Sequence, residues 1–448
     1  MIRSEAPPEP RTGEHQALRR AASLEAGAAI RMTRFMDEAF GLFRAITGDG
    51  VRQTLRLLDE IVPVGQIEVA TGTAVLDWTV PQEWVARQAY VVAPDGRRLF
   101  DMAETNLRLL GYSVPFRGVV PLNELKAHLN SLPDRPDLIP HRTSYYAPAW
   151  GFSATQHEVD ALEPGDYEVV VDTELFDGSL TYGELVLPGD DEREVLVTTH
   201  TCHPSLANDN LSGIAVAAEV ARRVAASDHR FTYRFLFLPA TIGPITWLAT
   251  HSDVVPRIHC GLVLTGLGDT GPLTYKRSRR GATVIDRAAE LVIGRDEAGE
   301  LLDWYPSGYD ERQFCSPGFD LAVGRLSRTR HGELREYHTS GDDLSFVDVD
   351  RMVDAGGAVL RLLGAVEADR SYRNLSPHGE PQLGSRGLYG GAWAPADRRA
   401  YEQAILWVLS LSDGDHDVLS IAAASGLEVR AVAEAVDRLR HAELLAPV

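Results

Sequence analysis

The chain has few cysteines, no long apolar run and no excess of basic residues. Its 448 residues contain three cysteines, Cys202, Cys260 and Cys315, widely spaced and without a C-x-x-C pair. Such a set is not a disulfide framework, so we expect a reducing, cytoplasmic environment. No stretch reaches the roughly 18 apolar residues of a membrane span, and the N-terminus lacks the apolar core of a signal peptide. The sequence therefore predicts neither a membrane span nor secretion.

Acidic residues outnumber basic ones along the chain. Lys and Arg total 44 against 64 Asp and Glu, which gives a formal net charge of -20 at pH 7. A strongly negative protein is poorly suited to nucleic acid or an anionic membrane surface as its main partner. At this length the chain is also too long for one simple core, so we expect two or three domains.

The order of the predicted elements indicates an α/β fold with two added units. Helical spacing of apolar residues comes first, strand-like alternation with the hairpin turn Pro94-Asp95-Gly96 follows, and strands then alternate with helices. Such alternation favours a sheet with helices on both faces. The predicted divisions are a flexible N-terminus at 1–28, an α/β domain at 29–65 and 164–370, an inserted β-rich domain at 66–163, a linker at 371–394 and a winged helix-turn-helix at 395–448.

A dense polar stretch, TTHTCHPSLANDNLSG at 198–213, lies between a predicted buried strand and a predicted helix. Open α/β sheets place their active sites at such strand ends, and two imidazoles with a carboxylate are typical ligands of a catalytic zinc. The alternative is a surface turn in which Asp209 only caps the helix. The position at a sheet end favours the metal site. His200 and His203 are three residues apart, so only one of them should face the site unless the strand ends between them.

Two later segments carry further candidate side chains. His338 lies in EYHTSGDD, where polar neighbours favour a functional role over that of a surface histidine. Asp310, Glu311 and Arg312 are adjacent in a loop, where three charges indicate either a solvated face or the wall of a site. Cys202, within the polar stretch, is expected to be a small core residue.

The motifs TCHPSLANDNLSG, TIG, YDERQFCSPG and EYHTSGDD, in this order, resemble the zinc aminopeptidases of the bacterial leucine-aminopeptidase type. The similarity is greater to the subgroup labelled polysaccharide biosynthesis proteins with an aminopeptidase-like domain. DNLSG alone is a weak signal, whereas four motifs in order are a strong one. The resemblance implies a zinc-exopeptidase-like sheet, an inserted small domain and a C-terminal winged helix. It also implies His203, Asp209 and His338 as metal ligands, with His200 and Asn210 in support.

The chain departs from this family where the family has carboxylates. The Glu-Glu pair of the classical enzymes falls on Ala240 and Thr241, and the subgroup usually has PETIG where this chain has PATIG. Ala240 thus stands at the position of the general base, and Thr241 and Thr265 are poor replacements for metal-binding carboxylates. The remaining ligands suffice for one zinc with an open position, so a two-metal mechanism is not expected. A deliberate substitution, a natural loss, or replacement of the base by Asp310 or Glu311 would each account for Ala240, and we favour the first.

The function that the resemblance implies is hydrolysis of an amide, which would release the N-terminal residue of a small peptide or deacylate a small amino compound. Asp310, Glu311, Arg312 and Tyr337 would line the substrate site, and Arg328 would pair with a substrate carboxylate. Two alternatives remain open: a catalytically inactive binding or regulatory protein, and an acyl transferase or cyclase that uses the same zinc. The winged helix has few basic residues, so we expect it to mediate a homo-oligomer rather than to bind DNA.

Overall fold

The structure, a computed structural model, describes residues 16–19, 21–389 and 395–448. No described helix is long and apolar enough to cross a membrane. The α-helices are α1 Gln16–Arg19, α2 Ala28–Ala39, α3 Asp49–Leu58, α4 Leu122–Ala127, α5 Gln156–Asp160, α6 Gly213–Ala225, α7 Ile242–Thr250, α8 Val284–Val292, α9 Glu311–Phe314, α10 Val349–Ala368, α11 Pro395–Leu411, α12 Val418–Ser425 and α13 Val429–His441.

The strands form one large sheet and several small ones. They are β1 Gly65–Ala70, β2 Ala74–Val75, β3 Trp78–Thr79, β4 Glu83–Val92, β5 Arg98–Leu99, β6 Phe116–Pro121, β7 Leu129–Asn130, β8 Phe152–Ser153, β9 Asp166–Phe176, β10 Ser179–Leu187, β11 Asp191–His200, β12 Phe231–Leu238, β13 Ile258–Leu264, β14 Thr274–Lys276, β15 Glu300–Leu302, β16 Val323–Ser327, β17 Ser371–Asn374, β18 Asp413–Asp417 and β19 Leu445–Pro447.

The large sheet has the strand order β1-β10-β12-β11-β13-β16-β14-β15. Its centre is parallel, because β11 pairs in parallel with β12 and β13, and β13 pairs in parallel with β16. Successive side chains of β11 enter two different cores. Val195 and Val197 pack with α6 and α10, whereas Leu196 packs with α7 and the inserted domain. Burial on both faces explains why these strands read as continuous apolar runs, and the predicted α/β architecture is confirmed.

The inserted domain is built on a four-stranded antiparallel sheet of order β5-β4-β9-β6. Its limits differ from the predicted 66–163 at both ends. β1 pairs with β10 in the large sheet, and β9 pairs with β4 in the inserted one. An alternating apolar pattern identifies a strand but not the sheet that it joins, since partner choice depends on distant residues.

The two other predicted boundaries also shift. Of the segment 1–28, predicted to be flexible, the described part includes α1, which packs on α10 with Leu18 and Leu24 buried; residues 1–15 lie outside the described residues. The predicted linker 371–394 begins with β17, which pairs with β18 and β19 of the winged helix, and its residues 390–394 lie outside the described part.

The winged helix rests on the α/β domain. Arg287 of α8 donates a hydrogen bond of 2.9 Å to Asp417 at the start of α12, and Arg295 donates one of 2.7 Å to the Leu427 carbonyl. α13 also contacts α10. This unit therefore extends the helical layer on the face of the sheet opposite the inserted domain.

Candidate metal centre

Asp209 lies among histidines at the carboxyl end of the central strands. β11 ends at His200, and the chain then passes through His203, whose φ of 84° is in the left-handed region, into the kinked turn Ala207–Ser212. His200 Nε2 lies 2.8 Å from Asp209 Oδ1, and His338 Nε2 lies 3.0 Å from Asp209 Oδ2. One carboxylate thus joins imidazoles from two distant parts of the chain.

These side chains fit a zinc ion. His200, His203 and Asp209 offer three ligand atoms that lie within 4.8 Å of one another. Asp209 Oδ2 and His338 Nε2 are both buried, and neither has a hydrogen-bond partner in the described part of the chain; the 3.0 Å contact between them lacks the alignment of a hydrogen bond. Buried polar atoms are almost always satisfied, and a metal ion would satisfy both. Imidazole and carboxylate donors are those that zinc prefers.

The protonation states suit metal binding as well. Burial lowers the pKa of His203 well below its ordinary value, which keeps the ring neutral and its lone pair available. Burial opposes ionisation of Asp209, but the adjacent His203 ring and the hydrogen bond with His200 hold the pKa of this carboxyl well below its usual range. Asp209 is therefore an anion and His203 a neutral donor.

The four predicted members of this centre all lie together, but with different roles. We expected His203, Asp209 and His338 to be the ligands and His200 to support them. The structure groups His200 with His203 and Asp209, because β11 ends at His200 and alternation along a strand no longer decides where His203 points. His338 contacts the other oxygen of Asp209. His200 is therefore a candidate ligand as well as a support.

Asp209 is held by its own neighbours and by the loop of His338. Asp342 accepts backbone hydrogen bonds from Asn208 (2.5 Å) and Asp209 (2.8 Å), which ties this loop to the kinked turn Ala207–Ser212. Asn210, predicted to be a support, donates to the Thr199 hydroxyl (2.7 Å) and to the His200 carbonyl (3.1 Å).

Two residues near the centre carry no motif that sequence reasoning could use. Arg44, fully buried, donates to the His203 carbonyl (2.8 Å) and to the Leu206 carbonyl (3.3 Å), and burial lowers its pKa to about 10. His141 comes from the inserted domain. Its ring centroid lies 5.0 Å from that of His203 and 5.4 Å from that of His338, and burial lowers its pKa to about 3. Its backbone N–H donates to the His338 carbonyl (2.8 Å).

A cavity of about 550 Å³ opens beside this centre, between the inserted and α/β domains. Asp310 lines it with a carboxylate whose two oxygens have no hydrogen-bond partner in the described part of the chain, and burial raises the pKa of this group to about 7. Arg312 also lines the cavity, as does Tyr337, whose ring stacks on His338 at 3.9 Å. Three of the residues predicted for the substrate site therefore line this cavity.

The two other predicted substrate residues do not face the cavity. Glu311 is fully buried and pairs with Lys276 at 2.9 Å. Arg328 is also buried, and it donates to the Gly271 carbonyl (2.9 Å) and to Asp354 (2.7 Å). Because side chains alternate across the sheet at the end of β16, Arg328 points to the face away from the cavity, and the predicted contact with a substrate carboxylate does not occur there.

Two of the three positions at which the family resemblance leads one to expect carboxylates lie at the cavity. Ala240 and Thr241 both line the wall. Cys202 is buried, as expected of a core residue, with its sulfur 3.3 Å from His203 Nδ1 and 3.6 Å from the Ala240 carbonyl. Thr265 is buried just after β13, and its hydroxyl has no hydrogen-bond partner among the described residues.

Comparison with family models divides the chain at residue 370. Residues 33–369 match a domain of unknown function, DUF4910, and residues 370–447 match a winged helix-turn-helix. A Clostridium acetobutylicum protein is 44% identical over 428 residues, which cover 94% of this chain and 97% of that protein; it is named as a candidate polysaccharide biosynthesis protein with an aminopeptidase-like domain.

Two solved structures are also similar to this chain over most of its length. A crystal structure of a candidate peptidase from Clostridium acetobutylicum has a TM-score of 0.88 at 42% identity and covers 94% of this chain and 98% of its own. A zinc aminopeptidase from Bacillus subtilis has a TM-score of 0.58 at 14% identity, with coverage of 77% and 95%. The second likeness concerns the fold. The chain therefore belongs to the DUF4910 family, and it shares the fold of the zinc aminopeptidases, with a C-terminal winged helix-turn-helix.

Proposed function

We propose that this protein is a zinc-dependent amide hydrolase that releases the N-terminal residue of a short peptide or deacylates a small amino compound. The observation that carries the proposal is the group His200, His203 and Asp209, with His338 beside it, next to a cavity of about 550 Å³. When bound, zinc would polarise the scissile carbonyl and lower the pKa of a water molecule. The cavity walls would hold the substrate and exclude bulk water.

The proposal includes one zinc ion rather than two. A second ion would need further carboxylates, and the chain has Ala240, Thr241 and Thr265 at the positions where the family resemblance leads one to expect them. None of these three side chains offers a carboxylate oxygen. The four residues of the Asp209 centre are sufficient for one ion with an open position.

Asp310 is our candidate for the proton-transfer group in the chain as it stands, and we now prefer this replacement of the base to the deliberate substitution that we favoured from the sequence alone. Its carboxylate faces the same cavity as Ala240, and neither of its oxygens is engaged by a described residue. One of these oxygens would accept the proton of the attacking water and return it to the leaving amine. A base whose pKa is near the working pH performs both steps well. Glu311 is a poor candidate because Lys276 and Arg325 surround it.

The second candidate function is an inactive binding protein on the same fold, and the missing carboxylate at position 240 favours it. Both candidates retain the metal centre, so hydrolysis distinguishes them. A cytoplasmic location and assembly through the winged helix remain predictions from the sequence.

The test combines metal analysis with a panel of aminoacyl anilides, dipeptides and N-acyl amino acids. We expect hydrolysis by the unsubstituted protein, and a loss of about 100-fold or more in kcat for Asp310→Asn without loss of zinc. Hydrolysis that survives Asp310→Asn unchanged would contradict the role of Asp310. A zinc-loaded protein that is inert both as it stands and as Ala240→Glu would favour the binding function.

A further inference from the structure

A buried cluster of charges lies behind the cavity wall. Lys276 of β14, Glu311 of α9 and Arg325 of β16 all have side chains with 0% exposure. Lys276 is one of two lysines in the chain, and lysine is among the residues least often fully buried. Lys276 Nζ lies 2.9 Å from Glu311 Oε1, and Arg325 Nη1 lies 3.6 Å from the same oxygen. Two cations thus share one anion.

Arg325 lacks the hydrogen bonds that a buried guanidinium requires. Its Nε, Nη1 and Nη2 have no hydrogen-bond partner among the described residues, and Glu311 Oε2 has none either. A guanidinium carries five N–H donors, and burying polar groups unpaired is costly. The ring of Tyr309, whose centroid lies 5.4 Å from the guanidinium carbon, faces the cation but accepts no conventional hydrogen bond. A hydrogen-bond acceptor beside Arg325 would therefore satisfy these nitrogens.

The register of the sheet places this cluster close to the metal centre. Arg325 pairs across strands with Lys276 on one side and with Val263 on the other, and Val263 pairs with Thr198 of β11. His200 lies two residues beyond Thr198, on the same face of the sheet. Lys276 and Arg325 therefore lie on the same face of the sheet as His200, in the cross-strand row of side chains that precedes the row of His200.

Gly308 separates the cluster from the cavity by main chain alone. It lines the cavity, and a Cβ added to it would meet Glu311 Oε1 first, with Lys276 Nζ at 3.0 Å and Arg325 Nη1 at 3.2 Å. Its φ of 151° also disfavours a side chain there. The absence of a side chain at this position leaves all three charged groups, two cations and one anion, next to the cavity wall.

We infer that Lys276 and Arg325 form a binding site for a small monovalent anion, of carboxylate or halide chemistry, behind Gly308. The Arg325 fork would donate to the anion and the Lys276 ammonium would contact it. One bound anion would balance the two cations and Glu311 and would satisfy the unpartnered Arg325 nitrogens. The anion could come from solution or be the carboxylate of a peptide in the cavity; the chemistry is the same, and the experiment separates the two sources.

The direct test is a crystal of the unsubstituted protein, grown without chloride and soaked in sodium bromide. We expect anomalous density for bromide in contact with the Arg325 guanidinium. A second soak adds alanyl-alanine or its amide. Displacement of bromide by the dipeptide and not by the amide identifies the peptide carboxylate as the occupant, and retention of bromide with both identifies a free anion. Ordered water alone beside Arg325 would overturn the inference.

The solution test compares thermal unfolding in bromide, acetate and the larger anion gluconate at equal ionic strength. We expect bromide and acetate to raise the Tm by about 3 °C relative to gluconate. Arg325→Met should abolish this difference, whereas Arg280→Gln, which removes an exposed arginine, should retain it. An undiminished anion effect in Arg325→Met contradicts the site. Should that variant fail to fold, Lys276→Met and the bromide soak still decide.

Discussion

The Asp209 centre and the Lys276–Arg325 cluster are opposite in charge and lie on the same face of one sheet. In the first, a buried carboxylate is surrounded by imidazoles, and two atoms of the centre, Asp209 Oδ2 and His338 Nε2, make no hydrogen bond with the described residues and could both bind a cation. In the second, two buried cations share one carboxylate, and three nitrogens lack partners that an anion would supply. Unpartnered buried atoms therefore indicate the sign of the missing group as well as its place.

The two sites also differ in the kind of substitution that can test them. The Asp209 centre borders the cavity where a carboxylate is missing at Ala240, so chemistry should respond to a single substitution there. We expect Ala240→Glu to increase amide hydrolysis by about 10² to 10⁴-fold, the usual contribution of a general base. Ala240→Gln is the matched control, since it has a similar volume and cannot accept the proton. Equal rates in the two variants would argue against the assignment of this position.

Removing the charge of Asp209 should abolish the first site while leaving the second intact. We expect Asp209→Asn to weaken zinc binding by more than about 100-fold, because even supporting residues of metal ligands contribute 10 to 100-fold. Competition with a chromophoric chelator measures this affinity. Asp303→Asn is the control, since that side chain is 97% exposed. Retention of zinc by Asp209→Asn would show that the ion is held elsewhere.

A half-buried carboxylate, Asp369, sharpens the contrast, because burial and a neighbouring carboxylate both disfavour its charge. Burial, with the nearby Asp417, raises the pKa of Asp369 to about 6 at the contact with the winged helix. The folded state therefore holds a proton that the unfolded chain releases at lower pH. This contribution to stability is complete below about pH 4 and is lost as the pH rises through 6.

We expect the free energy of unfolding of Asp369→Asn to lack this decline, which is on the order of 2 kcal/mol. Denaturant titrations at pH 4, 5, 6 and 7 measure the difference between the variant and the unsubstituted protein. Parallel pH profiles for the two proteins would contradict the raised pKa of Asp369.

The smallest effect concerns the cationic cluster in the absence of small anions. There, Arg325→Met should change the Tm by no more than a few degrees, and in the stabilising direction, since apolar replacement of buried charges is often neutral or favourable. Thermal unfolding in gluconate measures it. A large loss of stability in gluconate would mean that the contact with Glu311 is sufficient to stabilise the charge of Arg325, without a bound anion.

The sequence alone predicted that the residues of the candidate metal centre lie together, because they belong to recognisable motifs. Asp209 and His338 were predicted from DNLSG and EYHTSGDD, and both contribute to the observed cluster. The sequence prediction gave His200 a supporting role unless the strand ended before His203, and β11 does end at His200, which groups it with His203 and Asp209. Arg328 was misplaced for a related reason, since the face of a strand end is not evident from its residues.

The cationic cluster and His141 could not be predicted in this way. Lys276 and Arg325 meet only through the antiparallel register of β14 and β16, and Glu311 reaches them from the short helix α9. His141 enters the centre because the inserted domain packs its segment against the loop of His338. Such contacts depend on the pairing of distant segments, which local patterns do not determine. The α/β sheet, by contrast, followed from local alternation of strands and helices.

The most direct measurement for the central claim is the metal content of the purified protein, with the ion located by anomalous scattering in a crystal. The account predicts one zinc per chain, in contact with Asp209 and with the histidines around it. Two ions per chain, or none after equilibration with zinc, would contradict it.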